Sequence, residues 1–125
     1  MISAQVKGIY TIDMDDLEKA VPNDPERFCV VVRVMAGPRG SEGEESFDVK
    51  VCSPKWLEER VNKDGFVLGT HHLFVAEYDP AQIKRILTKL VERITGESWK
   101  EVALKIARIG YWEFEDLKLG DIHDK

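Results

Sequence analysis

The run Val30-Val31-Val32-Arg33-Val34 constrains this chain more than any other feature, together with the alternation of Phe47, Val49 and Val51 with Asp48 and Lys50 that follows it. β-Branched side chains crowd a helix but fit a pleated strand, and alternation at period two turns one side of a strand towards a core. The first run, apolar on both faces for part of its length, reads as a central strand from Phe28 to Met35, and the second as its neighbour. Between them lies Gly37-Pro38-Arg39-Gly40-Ser41-Glu42-Gly43-Glu44-Glu45, rich in turn residues. A long β-hairpin with a flexible, acidic connection is therefore predicted.

The remaining elements follow from periodicity and caps. Residues 2 to 10 alternate as a first strand, and Met14, Leu17 and Val21 are spaced for a short helical or turn segment packed on the core. Pro22-Asn23-Asp24-Pro25 breaks that segment. Ser53-Pro54 and Asp79-Pro80 each pair an N-cap side chain with proline at the first helical position. The first opens a short helix over Lys55 to Val61, ended by Asn62 to Gly65; a fourth strand is predicted over His72 to Tyr78. The second opens the longest helix, whose stripe is Ile83, Ile86, Leu87, Leu90, Val91 and Ile94 and whose terminator is Gly96. Ser98 and Glu101 form a capping box for a last helix with Trp99, Val102, Ala103, Ile106 and Ala107 inward, closed by Gly110. So short a link makes the last two helices an αα-hairpin.

Tyr111 to Asp116 then reads as a closing strand, with Trp112 and Phe114 on one face and Glu113 and Glu115 on the other, before a polar tail from Lys118. The predicted fold class is α+β: one domain over residues 1–125, a mostly antiparallel sheet of four or five strands with a C-terminal helix pair packed on it.

A chain of 125 residues is long enough for one core without disulfides or metals. No apolar run approaches the ~20 residues of a membrane span, and the first residues lack a secretory signal, so no membrane association and a cytoplasmic location are expected. With 23 acidic against 18 basic residues the net charge is -5. That balance disfavours nucleic acid and anionic membranes as partners and favours a basic protein. The acidic residues fall in three clusters, Asp13 to Glu18, Glu42 to Asp48 and Glu113 to Asp116. If the sheet brings two of them together, their field speeds encounter with a basic surface.

Motifs for catalysis are weak. Gly37, Gly40 and Gly43 lack the Gly-Lys-Ser/Thr and the following helix of a phosphate loop, and their glutamates repel phosphate. His71 and His72, adjacent on a strand, point to opposite faces and cannot share a metal. Cys29 and Cys52 lie in strand-like runs and read as buried, reduced thiols, with a bridge open to them if their strands pair. No cofactor, metal or catalytic residue is therefore assigned. The alternative is a small thiol-dependent hydrolase using Cys52 with His71 or His72, and a third reading is a chaperone or secretion adaptor.

The segment from Gly37 through Val49, with Cys52-Ser53-Pro54-Lys55-Trp56-Leu57, Ser98-Trp99, Glu101-Val102-Ala103 and the closing Trp112-Glu113-Phe114-Glu115-Asp116, resembles the immunity protein 8 family of bacterial polymorphic toxin and contact-dependent inhibition systems. The resemblance covers most of the chain and is most specific in the acidic loop and the closing motif. It implies an α+β fold and a non-enzymatic, cytoplasmic protein, encoded beside a toxin, that binds the toxin's C-terminal effector domain and neutralises it. Many such toxins resemble nucleases, whose grooves are basic, so an acidic inhibitor can mimic the phosphate backbone there. Contact residues do not carry over from the family. Charge and position nominate Glu42, Glu44 and Glu45 in the loop, Glu113, Glu115 and Asp116 in the closing strand, and Arg39 as a hot spot.

Overall fold

The predicted hairpin forms, with Val30 opposite Val51, Val32 opposite Val49 and Val34 opposite Phe47. The computed structural model describes residues 1–114. Along the chain these give β1 (Ile2–Thr11), a 3-10 turn (Leu17–Ala20), β2 (Cys29–Pro38), β3 (Glu45–Cys52), α1 (Pro54–Asp64), β4 (His72–Phe74), α2 (Pro80–Glu92), β5 (Thr95–Gly96) and α3 (Trp99–Ile106). The strands form one sheet in the order β4-β3-β2-β1-β5. Every pair is antiparallel except β3 with β4, which α1 joins as a crossover. The expected α+β class and mostly antiparallel sheet are present.

Alternation decides which face is packed. Val32, Val34, Val49 and Val51 are buried on one side of the hairpin, and Ile83, Leu87 and Val91 of α2 and Val102, Ala103 and Ile106 of α3 are buried with them in one core cluster. At roughly 1.5–3 kcal/mol for each fully buried aliphatic side chain, this face dominates the stability. Among its described residues α1 buries none completely, so the opposite face of the sheet is only partly covered.

The three predicted caps are in place. Ser53 Oγ accepts from the Trp56 N–H at 3.3 Å, Asp79 from Gln82 at 3.2 Å and Ser98 from Glu101 at 3.1 Å. Glu101 returns its carboxylate to the N–H of Glu97 at 2.9 Å, one residue before the cap itself.

Four expectations need correction. Gly96 does not end α2, which stops at Glu92; Gly96 pairs with Ile2 in β5, because the free edge of β1 recruits the linker. A Cβ there would meet Glu101 and Val102 side chains at 3.1 Å, so a larger residue would have to displace them. The fourth strand is three residues long, since the chain turns inward after Val75 to send the Tyr78 hydroxyl to the Leu17 carbonyl at 2.7 Å. Of Met14, Leu17 and Val21, only Leu17 is buried.

The closing strand shrinks to a single antiparallel bridge between Tyr111 and Asp48, and Glu113 and Phe114 are already helical. β4 occupies only Lys50 to Cys52 of the β3 edge, and the chain leaves the open part after Tyr111 as Trp112 packs its ring on Phe47 and sends its indole N–H to Glu45. Trp112 is 3% exposed and Phe114 41%, so the two rings are not buried on one face as the strand reading required. Glu115, Asp116 and the tail from Lys118 lie outside the described residues.

Candidate functional site

Glu45, the first residue of β3, is the point where loop, helix and closing segment meet. Its carboxylate accepts the indole N–H of Trp99, at the start of α3, and that of Trp112 at 2.9 Å. The Trp112 ring packs against Phe47 with centroids 6.0 Å apart and against Phe114 at 6.3 Å. Glu45, Trp99, Lys100, Trp112 and Phe114 line a cleft of about 240 Å³. Glu44, beside Glu45, and Glu113, between the two rings, are exposed, as is Glu42 in the loop. Among the described residues, the loop cluster and Glu113 of the closing cluster are thus brought to one end of the sheet.

The loop is held on both flanks. A Cβ on Gly37 would lie 2.1 Å from the Gly43 carbonyl oxygen, so only glycine lets the loop fold back over β2. The β1 bulge between Val6 and Gly8 frees the Val6 N–H, which donates to Glu92 at 2.9 Å. Arg39 answers that carboxylate at 3.5 Å and also donates to the Ala4 carbonyl at 3.3 Å. Arg39, nominated as a hot spot, is therefore engaged in fixing the loop to β1 and α2.

On the opposite face of the sheet, Arg33 and Asp48 form a bidentate pair at 2.9 and 3.0 Å. The Asp48 hydrogen bond, aided by the charges of Asp48 and Glu113, raises the Arg33 pKa, against a small desolvation effect. The third cluster is remote. Beyond the far end of β1, Glu18 pairs with Lys84 at 2.8 Å, and that hydrogen bond lowers the Glu18 pKa.

A second surface was not anticipated. Cys29, Val31, Lys50, Trp56, Arg60, Phe66 and His72, with other residues of α1 and the segment after it, line a groove of about 440 Å³ on the less covered sheet face. Phe66 is 68% exposed and Leu68 74%. The signal was present in the sequence as Phe66-Val67-Leu68 between two glycines, an apolar triplet that neither helix nor strand absorbs.

The thiols and imidazoles are arranged differently from a nucleophile pair. Cys29 and Cys52 face each other across β2 and β3 with sulfurs 2.8 Å apart. His71, in a left-handed turn with φ 62°, donates from Nε2 to the Ala107 carbonyl at 2.7 Å, and His72 donates from Nδ1 to Thr70 at 2.9 Å. Cys52 is thus paired with a sulfur rather than an imidazole. Donation from the Cys52 thiol, helped by Lys50 and Arg60, holds Cys29 below the usual thiol pKa against the opposing effect of burial. Its role as donor, together with burial, pushes Cys52 up. Among the described residues no group of three or more His, Cys, Asp or Glu is placed to hold a metal, and no helix is long and apolar enough to cross a membrane.

Fold and surface define a small α+β protein with acidic residues grouped around an aromatic cleft. The chain belongs to the immunity protein 8 family, whose family model matches residues 4–117. Membership makes it an immunity protein against a toxin. Searches of curated proteins and of solved structures returned no match.

Proposed function

We propose that this immunity protein acts as one cytoplasmic domain, performs no catalysis, and neutralises its cognate toxin by stoichiometric binding through the end of the sheet that carries Glu45. The observation that supports this surface is the double hydrogen bond from Trp99 and Trp112 to Glu45, which sets a loop and a closing segment into one rigid unit. Exposed Glu42, Glu44 and Glu113 supply the charged rim, and the half-exposed Phe114 beside Trp99 supplies an apolar anchor. Glu115 and Asp116 extend the acidic run along the sequence. Arg39 serves by holding the loop in place.

The partner is a basic toxin domain of the nuclease kind, whose groove accepts carboxylates in place of phosphates. The test is co-expression with the toxin domain encoded by the neighbouring gene. The wild-type chain restores growth and forms a salt-sensitive complex. The triple charge reversal E42K/E44K/E113K keeps its fold and loses rescue. If that variant protects as well as the wild type, this surface is not the contact.

A further inference from the structure

Cys29 opens β2 and Cys52 ends β3, and the two are cross-strand partners. Their pairing type can be read from the backbone. Asp48 exchanges hydrogen bonds with Tyr111, the Lys50 N–H donates to His71, and the Cys52 carbonyl accepts from Val75, all on the side of β3 away from β2. Cys29 and Cys52 therefore form a non-hydrogen-bonded pair, the narrow site where facing side chains approach most closely. Their sulfurs are 2.8 Å apart.

The two thiols differ in access. Cys52 is wholly buried, whereas Cys29 is half-buried and lines the 440 Å³ groove beside Lys50 and Arg60. A small oxidant entering the groove meets one sulfur, with the second waiting behind it. The hydrogen bond from Cys52, and after it the two cations, favour the thiolate of Cys29, the form that reacts.

We propose that Cys29 and Cys52 are a reversible redox pair, in which Cys29 is oxidised by a small peroxide and Cys52 resolves the product to an intramolecular disulfide. The Cys29 thiolate attacks one peroxide oxygen and the O–O bond breaks. Sulfur is oxidised to the sulfenic acid, and the other oxygen leaves as hydroxide to be protonated to water. The Cys52 sulfur then attacks the Cys29 sulfur, and the S–O bond breaks. The hydroxyl departs as water with the Cys52 proton. In sum, two thiols give two electrons and two protons to one hydrogen peroxide, which becomes two waters.

The bond has a mechanical consequence. It forms one residue before Ser53, whose Oγ accepts from both Phe28 at 3.1 Å and Trp56 at 3.3 Å. Oxidation thus fixes the base of α1, the helix that walls the groove.

The experiment treats the whole chain with hydrogen peroxide, alkylates it in denaturant with N-ethylmaleimide and measures the intact mass. Reduced protein takes two alkyl groups. Oxidised protein takes none, is lighter by two hydrogens, and returns to the first state with dithiothreitol. The oxidised form melts several degrees higher, because a cross-link restricts the unfolded chain. C52S stops at a sulfenic acid on Cys29 that dimedone traps, and C29S consumes peroxide about tenfold more slowly or less. The proposal is overturned if the treated wild-type chain keeps both thiols alkylatable, if the disulfide forms between molecules instead of within one, or if C29S reacts as fast as the wild type. The wild-type mass measurement decides the matter even where a variant fails to fold.

Discussion

Glu45 and Trp112, 67 positions apart in sequence, are joined by a 2.9 Å hydrogen bond from the indole Nε1 to a carboxylate oxygen. The other carboxylate oxygen takes the indole N–H of Trp99, so one acidic side chain satisfies two aromatic donors. Charge in the closing motif and charge in the loop are therefore positioned by the same residue. The buried Trp112 ring serves as scaffold, while Glu113 beside it is exposed.

Replacing Glu45 by alanine leaves both indole N–H groups without their acceptor, and Trp112 is nearly fully buried. A loss of about 2–3 kcal/mol is expected. Urea unfolding followed by tryptophan fluorescence reads it. Glu45→Gln keeps one carbonyl acceptor and recovers part of the loss.

Glu42 and Glu44 are exposed and make no ion pair among the described residues, so their reversal acts on association rather than on stability. E42K/E44K lowers the association rate with the toxin domain about tenfold at low salt, with little change in dissociation. The difference narrows as salt is added. Stopped-flow binding across a salt series measures this, and an unchanged melting temperature shows that the fold is intact.

Gly110 lies where a Cβ would meet Val49 at 3.0 Å and Phe47 at 3.2 Å. Gly110→Ala pushes the turn after α3 away from β3 and costs about 1–3 kcal/mol. Thermal unfolding gives the value. A melting temperature equal to wild type would show that the turn can shift freely.

Glu18 is held below its ordinary value of 4.5 by its hydrogen bond from Lys84, and Glu101 is lowered through the N–H of Glu97, with help from Lys105. A depressed folded-state pKa contributes stability above the unfolded value and loses it as pH falls through the folded one. Lys84→Met is therefore less stable than wild type near neutrality, and the gap closes below pH 4.5. Carbon-13 titration of the glutamate carboxyls finds Glu18 low in the wild type and higher in the variant, where only the backbone hydrogen bond still lowers it.

The hairpin was legible because its cause is local. Val30 to Val34 and Phe47 to Val51 carry their strand preference in β-branching and alternation, and the caps at Ser53, Asp79 and Ser98 act over two or three residues. The acidic loop and the closing motif could likewise be singled out as the specific parts of the chain. What could not be read was which distant group each of their residues meets.

The sequence by itself determined the periodicities, the helix starts, the acidic balance and the family motif, since each depends on residues close together in the chain. Tertiary structure alone decided that β4 runs parallel to β3, that Thr95–Gly96 joins β1, that Arg39 answers Glu92, and that Glu45 reaches two indoles. It also placed Cys29 opposite Cys52 and ended the predicted closing strand at Tyr111. The reason is competition for edges and partners. A strand pattern shows that a segment can pair, but the free edges and the side-chain partners within its reach determine where and for how long it does.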